Sequence, residues 1–330
     1  MLADQCQDFG HCLVVMFLLC VFDLVYSGDG VLAFQEPSAV LLDRFGSWSQ
    51  QIESHSDLSM RLIAWLKILQ TLTSRGGGMG LFSETLFSLF PAYGGPLPSL
   101  KAPQGHQPDL STHLYQVFCA PVFDFYFRVQ VLSGEIAQLT HYHRSRTTGA
   151  DQAEVVELVT HIKSRLHNLW ESRPATQRQT SEELREQLAP KLADSFISLV
   201  GICNAAYHTE FVEMDRVLGD PVSKWTDSRA SIDEIRRIVD NECALADAAE
   251  PKGLNPGYLR PLFLVAIECM DREQNRWAVD RIAQIRDPIY RAKFFSEFAR
   301  ELSAAQMRKE RRVTSKYFSI WHFGVPPPYM

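Results

Sequence analysis

The chain has 330 residues, enough at roughly 150 per domain for two ordinary domains or one large helical one. Apolar residues make up 46% and charged residues 22%, the balance of an ordinary soluble globular protein, which excludes disorder as a global description. Lys and Arg number 33 against 39 Asp and Glu, so the net charge of −6 repels phosphate backbones, and nucleic-acid binding would have to come from elsewhere.

Seven cysteines, at positions 6, 12, 20, 119, 203, 243 and 269, are scattered, odd in number and mostly in apolar surroundings. They read as buried thiols of a reducing compartment. No Cys-x-x-Cys pair occurs, so a structural zinc site of the usual spacing is not expected.

Taken in chain order, residues 12 to 26 suit a helix that the Ser27-Gly28-Asp29-Gly30 cluster ends. Its apolar run, Leu13 to Phe22, is about half the length of a membrane span and has no basic region before it, so neither a span nor a secretory signal is expected. A helix apolar nearly all round needs neighbours on every side, and one so close to Met1 suggests a chain that begins partway through a larger domain. Leu58, Leu62, Trp65, Leu66, Leu69 and Leu72 mark the next helix, with Asp57 as cap and Gly76-Gly77-Gly78 as stop. Residues 91–112 hold eight Pro and Gly and predict a long exposed loop. Helical character resumes from Leu114 to Tyr142, interrupted near Pro121, and again from Asp151 to Trp170. The polar stretch 172–186 predicts a second exposed connection, there or at the start of the next helix.

Phe196, Cys203, Tyr207, Phe211, Met214 and Leu218 then mark a helix ending at Gly219-Asp220-Pro221, and Ile232, Ile235 and Val239 a shorter one. Gly253 to Gly257 makes a turn, Pro261 opens a helix to about Met270, and Trp277 to Ile285 forms another. The last strong helix, from Pro288, carries Phe294, Phe298 and Leu302. No pair of alternating apolar runs flanks a hairpin turn, so the fold class is all-α, a large irregular multi-helix bundle or superhelical array. No common repeat length is visible.

Chemical motifs are sparse. The run Gly76 to Gly80 lacks the Lys-Ser/Thr of a phosphate-binding loop and follows a helix, so it reads as a helix stop. His141 and His143 point to different faces of a helix and cannot share a metal there. No metalloprotease, hydrolase or paired-aspartate motif occurs, so no catalytic, cofactor-binding or metal residue is assigned. Arg308, Lys309, Arg311, Arg312 and Lys316 form a basic cluster that reads as an import signal or anion patch. Basic residues at a helix C-terminus also complement the helix dipole, and that reading carries more weight. At the end of the chain, Tyr317, Phe318, Ile320, Trp321 and Phe323 are too many large apolar side chains to leave in water, since each forgoes roughly 1.5–3 kcal/mol of burial. The expectation is that the tail docks as a clamp, with Tyr317, Ile320, Trp321 and, one turn on, Gly324 on one helical face and Phe318 and Phe323 off it, so that contact on more than one side is needed. Left exposed, they would be a partner-binding motif.

Four phrases, Arg61 to Leu66, Gln130 to Ile136, Ala205-Ala206-Tyr207 and Asn255 to Pro261, together with the ending Tyr317 to Pro328, resemble the fungal-specific transcription factor domain. This is the helical regulatory domain that follows the six-cysteine, two-zinc cluster in fungal regulators. The resemblance runs from about residue 10 to 328. It implies one regulatory domain over 1–330, N-terminally incomplete, in a nuclear protein that regulates RNA polymerase II transcription. The zinc cluster itself is absent, since Cys6, Cys12 and Cys20 have neither its spacing nor its basic residues, so no zinc cofactor and no direct DNA contact are expected of this chain. Protein partners are expected, with a homodimer and a small effector between helices left open, and no membrane. The rival readings are a helical interaction scaffold without a transcriptional role and an all-α enzyme whose residues meet only in the fold.

Overall fold

The computed structural model describes residues 8–26, 31–51, 56–91, 110–219, 222, 224–247, 253–285 and 291–325. Among these there is no strand, only one isolated parallel bridge between Leu254 and Ile285, so the fold is all-α. The chain divides into two compact units, residues 1–134 and 135–328, each with its own core.

In the first unit, α1 (Phe9–Tyr26) packs on α3 (Ala39–Ser49) and α4 (Asp57–Ser74), with the short α2 (Leu32–Gln35) and α5 (Glu84–Ser88) between and after them. Ser38, Ser56 and Ser83 each accept a backbone N–H at the first turn of α3, α4 and α5, satisfying donors that helix geometry leaves over. The core is aromatic: Phe9 meets Phe45 edge-on at 5.2 Å, Phe45 meets Phe90 at 5.1 Å, and Phe90 meets Phe82 at 5.3 Å. Helix α4 stops where Gly76 takes φ +63, as the glycine run predicts, and the next turn is tied down by Gln70, whose Oε1 accepts from the N–H of Leu81 (2.7 Å) and Phe82 (3.0 Å).

Two expectations for this unit change. Helix α1 is not surrounded: Phe9, Cys12, Leu13, Met16, Cys20 and Asp23 are buried, but Leu18, Phe22 and Tyr26 line up on an exposed face. It also runs through Asp23, which gives it 18 residues and the length and apolarity of a membrane-crossing helix, a criterion that core helices of soluble proteins also meet. The second change is at Pro121, which sits inside one continuous helix, α6 (Leu110–Gln138). The carbonyl that a proline deprives of its partner belongs to Val117, an exposed position where water can take its place. The Ser27–Gly30 stop and loop residues 92–109 lie outside the described residues.

The second unit is built from α7 (Gly149–Glu171), α10 (Pro190–Leu218), α11 (Thr226–Asp247), α12 (Leu259–Glu268), α13 (Arg272–Ala283) and α14 (Ala292–Lys309). Helix α10 packs along α11 and α12, and α12, α13 and α14 pack on one another. Helix α11, at 22 residues, runs well beyond its isoleucine and valine markers, because its first turns carry exposed polar and charged residues such as Asp227 and Arg229. Residues 172–186 stay largely exposed but fold into α8 (Ala175–Arg178) and α9 (Ser181–Gln187). A reciprocal cap between Thr180 and Glu183 starts α9, and Leu184 turns inward.

The turn before α12 shows why its sequence is so particular. Asn255 Oδ1 accepts from the N–H of Gly257 at 2.9 Å, Pro256 begins a 3₁₀ turn, and Tyr258 is driven fully into the core. Tyr258 Oη lies 2.7 Å from where a Cβ on Gly201 would stand, so only glycine lets α10 approach this closely. Replacing Gly201 by Ala should therefore destabilise the protein by about 1–3 kcal/mol through overpacking. Thermal unfolding checks this, and adding Tyr258→Phe, which removes the oxygen in the way, should recover part of the loss.

Candidate functional site

Helix α10 carries Glu210, Glu213, Asp215 and Arg216 within two turns of an otherwise apolar surface. Helix α12 brings Arg260 at its start and Glu268 at its end, and Arg312 follows α14. These seven side chains interlock in the interior of the second unit. Arg260 forms a fork on the fully buried Glu210, with Nη1 to Oε1 at 2.5 Å and Nη2 to Oε2 at 3.2 Å, and lies 3.9 Å from Glu213. Arg216 donates to Glu268 Oε1 and lies 4.0 Å from Glu213. Arg312 Nε donates to Glu268 Oε2 at 2.9 Å, and its Nη2 reaches Asp215 Oδ2 at 3.4 Å.

Glu268 is fully buried at the C-terminus of α12, where the helix dipole is already negative. Two guanidiniums answer that charge, while the helix's last carbonyls find side-chain donors: Asn275 donates to Ala266 O and Gln306 to Ile267 O. Gln306 Oε1 in turn accepts the N–H of Val313 at 2.9 Å, which fixes the chain around Arg312. Arg216 holds its proton more tightly than usual: burial opposes its charge, but Glu268 and Glu213 outweigh that. Asp215 is pushed up to about 6 by burial, with Arg312 opposing and Glu268 adding to the rise.

A second buried group joins α7, α10 and α11. Trp170 stacks on Tyr207 at 4.2 Å and Arg173 covers the Trp170 ring at 3.1 Å. His208 lies edge-on to Trp170, with Nδ1 3.4 Å from Ser231 Oγ and Nε2 buried without a hydrogen bond. Burial lowers its pKa to about 4.

The basic cluster is divided by this geometry. Arg312 turns inward to Glu268 and Asp215 and is withdrawn from any surface patch. Arg308 and Lys309 end α14, Arg311 follows, and all three are exposed. Lys316 is half-buried with its Nζ 5.5 Å from the Tyr142 ring centre. His141 and His143 stand in the turn after α6 rather than on a helix, and among the described residues no group of three His, Cys, Asp or Glu is placed to hold a metal.

Of the sides on which the C-terminal aromatics were expected to dock, only one makes contact. Phe318 and Phe323 pack half-buried against the core, with Phe318 stacked on Phe298 at 6.2 Å and Phe323 against Phe294 at 5.2 Å. Tyr317, Ile320 and Trp321, the face expected to dock, point outward. Residues 319–323 are wound as a π-helix, so positions there do not follow the 3.6-residue spacing on which the expectation rests.

The seven-membered charge lattice was not foreseen. Its signal in the sequence is a lone Glu268 at the end of the apolar run Leu262 to Ile267, and acids interleaved with Phe211, Val212 and Met214, because charges within apolar runs are buried in pairs. The lattice joins three carboxylates of one helix to arginines of two other segments, an arrangement that fixes helices against each other.

The model of the fungal specific transcription factor domain family matches residues 5–300, and the chain belongs to that family. Comparison with curated proteins and with solved structures returned no match. The family is one of transcription-regulatory domains rather than an enzyme class.

The two perturbed groups set opposite pH dependences over one window. Asp215 keeps its proton up to about pH 6 when folded but loses it near 3.8 when unfolded, so it favours folding at low pH, and that contribution is lost between about 4 and 6. His208 is neutral in the fold down to about pH 4 but charges near 6.5 when unfolded, so its contribution is lost as pH falls through the same range. Each is worth on the order of 2–3 kcal/mol. Asp215→Asn should therefore make the melting temperature rise more steeply with pH between about 4 and 6.5 than in the unaltered protein, and parallel melting curves would contradict the assignment.

Proposed function

We propose that this chain is the regulatory domain of a fungal RNA polymerase II transcription regulator, acting in the nucleus through contacts with other proteins. The family match over residues 5–300 carries the reading. The buried lattice agrees with it, because bracing that fixes α10, α12 and the chain after α14 against one another suits a domain that presents a surface.

Two measurements test this. Tagged chain in a fungal cell should concentrate in the nucleus. Fused to an unrelated DNA-binding domain, it should change a reporter's output several-fold relative to that DNA-binding domain alone. Uniform cytoplasmic signal with an unchanged reporter would favour a scaffold without a transcriptional role.

The chain by itself is also expected to bind neither zinc nor a particular DNA sequence. It has no closely spaced cysteines, its net charge is −6, and Arg312 is unavailable to phosphate. Elemental analysis near one zinc per chain, or strong preference for one duplex over its scramble at physiological salt, would contradict this.

A further inference from the structure

The basic cluster at the end of α14 is only partly accounted for by helix geometry. Arg308 and Lys309 lie in the last turn of the helix, where they complement its dipole, but Arg311 and Arg312 come after it. Glu310 turns the chain out of the helix with φ +51, and residues 311–314 are neither helix nor strand before the short α15 (Ser315–Phe318) begins. Arg311 is exposed, Arg312 is turned inward and Thr314 is half-buried. The Thr314 hydroxyl makes no cap bond to α15, whereas Ser38, Ser56, Ser83, Thr148 and Thr180 each cap the helix they precede.

The spacing in this stretch is particular. Thr314 has an arginine both three and two positions before it, and no other serine or threonine in the chain has a basic residue at both. Protein kinases with an acidic substrate cleft read an extended segment by such a pair of charges, the guanidiniums meeting carboxylates of the enzyme. Residues 311–314 offer both charges, the acceptor hydroxyl and a backbone not committed to a helix. Arg312, however, is already engaged: its Nε donates to Glu268 at 2.9 Å, and its Nη2 lies 2.8 Å from the same carboxylate and 3.4 Å from Asp215. The Val313 N–H is likewise taken, by Gln306 Oε1 at 2.9 Å.

We propose that Thr314 is a phosphorylation site for an arginine-directed protein kinase, closed while the buried ion pairs hold Arg312 and open when residues 311–314 lift away from them. In the transfer, Thr314 Oγ bonds to the γ-phosphorus of ATP, the bond from that phosphorus to the β,γ-bridging oxygen breaks, ADP leaves and the hydroxyl proton passes to the kinase's base. The product carries a charge of about −1.5 to −2 and three acceptor oxygens, two residues from Arg312. Consecutive Cα atoms are about 3.8 Å apart, so the phosphate comes within reach of that guanidinium. It then competes with Glu268 for Arg312 and keeps the segment from returning, so that a transient opening becomes a lasting one. Phe318 and Phe323 follow Arg312 in the chain and pack against the core, and their packing is what the modification loosens.

The test incubates the full chain with Mg-ATP and the catalytic subunit of cyclic-AMP-dependent protein kinase, an arginine-directed enzyme, and locates the phosphate by peptide mass spectrometry. Phosphate should appear at Thr314, and Thr314→Val should lose it. Arg311→Ala should slow labelling on the order of tenfold, the worth of one hydrogen-bonded charge pair. Asp215→Asn and Gln306→Leu each remove a tie on the segment without touching the motif, and each should speed labelling several-fold at a temperature where thermal unfolding shows the variant folded. A free peptide of residues 308–318 should be labelled faster still. Phosphorylated chain should exchange its amide hydrogens faster over residues 311–325 and melt at a lower temperature than unmodified chain, with Thr314→Val unchanged by the same treatment. The proposal is overturned if the peptide is labelled but Thr314 stays unmodified in the chain and in both loosened variants, or if the phosphate goes to Ser315 or another residue instead. It is also overturned if the folded chain is labelled at the peptide's rate, or if phosphate at Thr314 leaves hydrogen exchange over 311–325 unaltered.

Discussion

The end of α12 is the constraint on which the second unit depends. A buried helix C-terminus has unsatisfied carbonyls and a negative dipole, and here it also carries the fully buried Glu268. Water cannot answer that charge, so Arg216 from α10 and Arg312 from beyond α14 must. Buried ion pairs gain little net stability over apolar packing, but losing one partner costs about 3–5 kcal/mol because the other is stranded. The lattice thus penalises any slip of α10, α12 or the chain after α14 relative to one another. Leucine and phenylalanine contacts, being non-directional, would tolerate small slips.

The first unit is built around aromatic packing and hydrogen bonds, several of them from Arg75. Its rings of Phe9, Phe34, Phe45, Phe82 and Phe90 fill the core. Arg75, just past α4, donates to Gln130 Oε1 at 2.5 Å and to Ser133 Oγ at 3.1 Å, and Thr71 Oγ1 reaches Gln130 O at 3.4 Å. The sequence phrases around Trp65 and around Gln130 therefore meet in space, through α4 and α6. In the second unit the phrases around Tyr207 and Tyr258 do likewise, through the Arg260–Glu210 pair and the seat of Tyr258 on Gly201. Their residues are specified by helix–helix fit, which is why they signal a fold and carry no reactive constellation.

The helices were legible because their apolar positions recur with the right period and their ends carry breakers, as at Pro190 and Gly219 around Pro190–Leu218, although Asp57–Ser74 is capped by Ser56 and not by the expected Asp57. What periodicity cannot report is which covered face meets which neighbour. Helix α1 is apolar nearly all round, so no pattern distinguishes its buried Met16 from its exposed Phe22. Pro121 looked like a break because its cost depends on whether the lost carbonyl partner can be water, a property of depth rather than sequence. In the tail, the π-helical winding moved Phe323 inward and left Trp321 outside.

Arg312 shows how such errors bear on function. In the sequence it is one of five similar cations, and a reading by local charge must count it with the rest. Its role is fixed by Glu268, forty-four residues away, whose burial creates a demand for positive charge that Arg312 meets. Drawing Arg312 inward leads the chain from the end of α14 back across the core, and the next large side chains, Phe318 and Phe323, follow it there. Tyr317 and Trp321, on the other side of that segment, are left exposed.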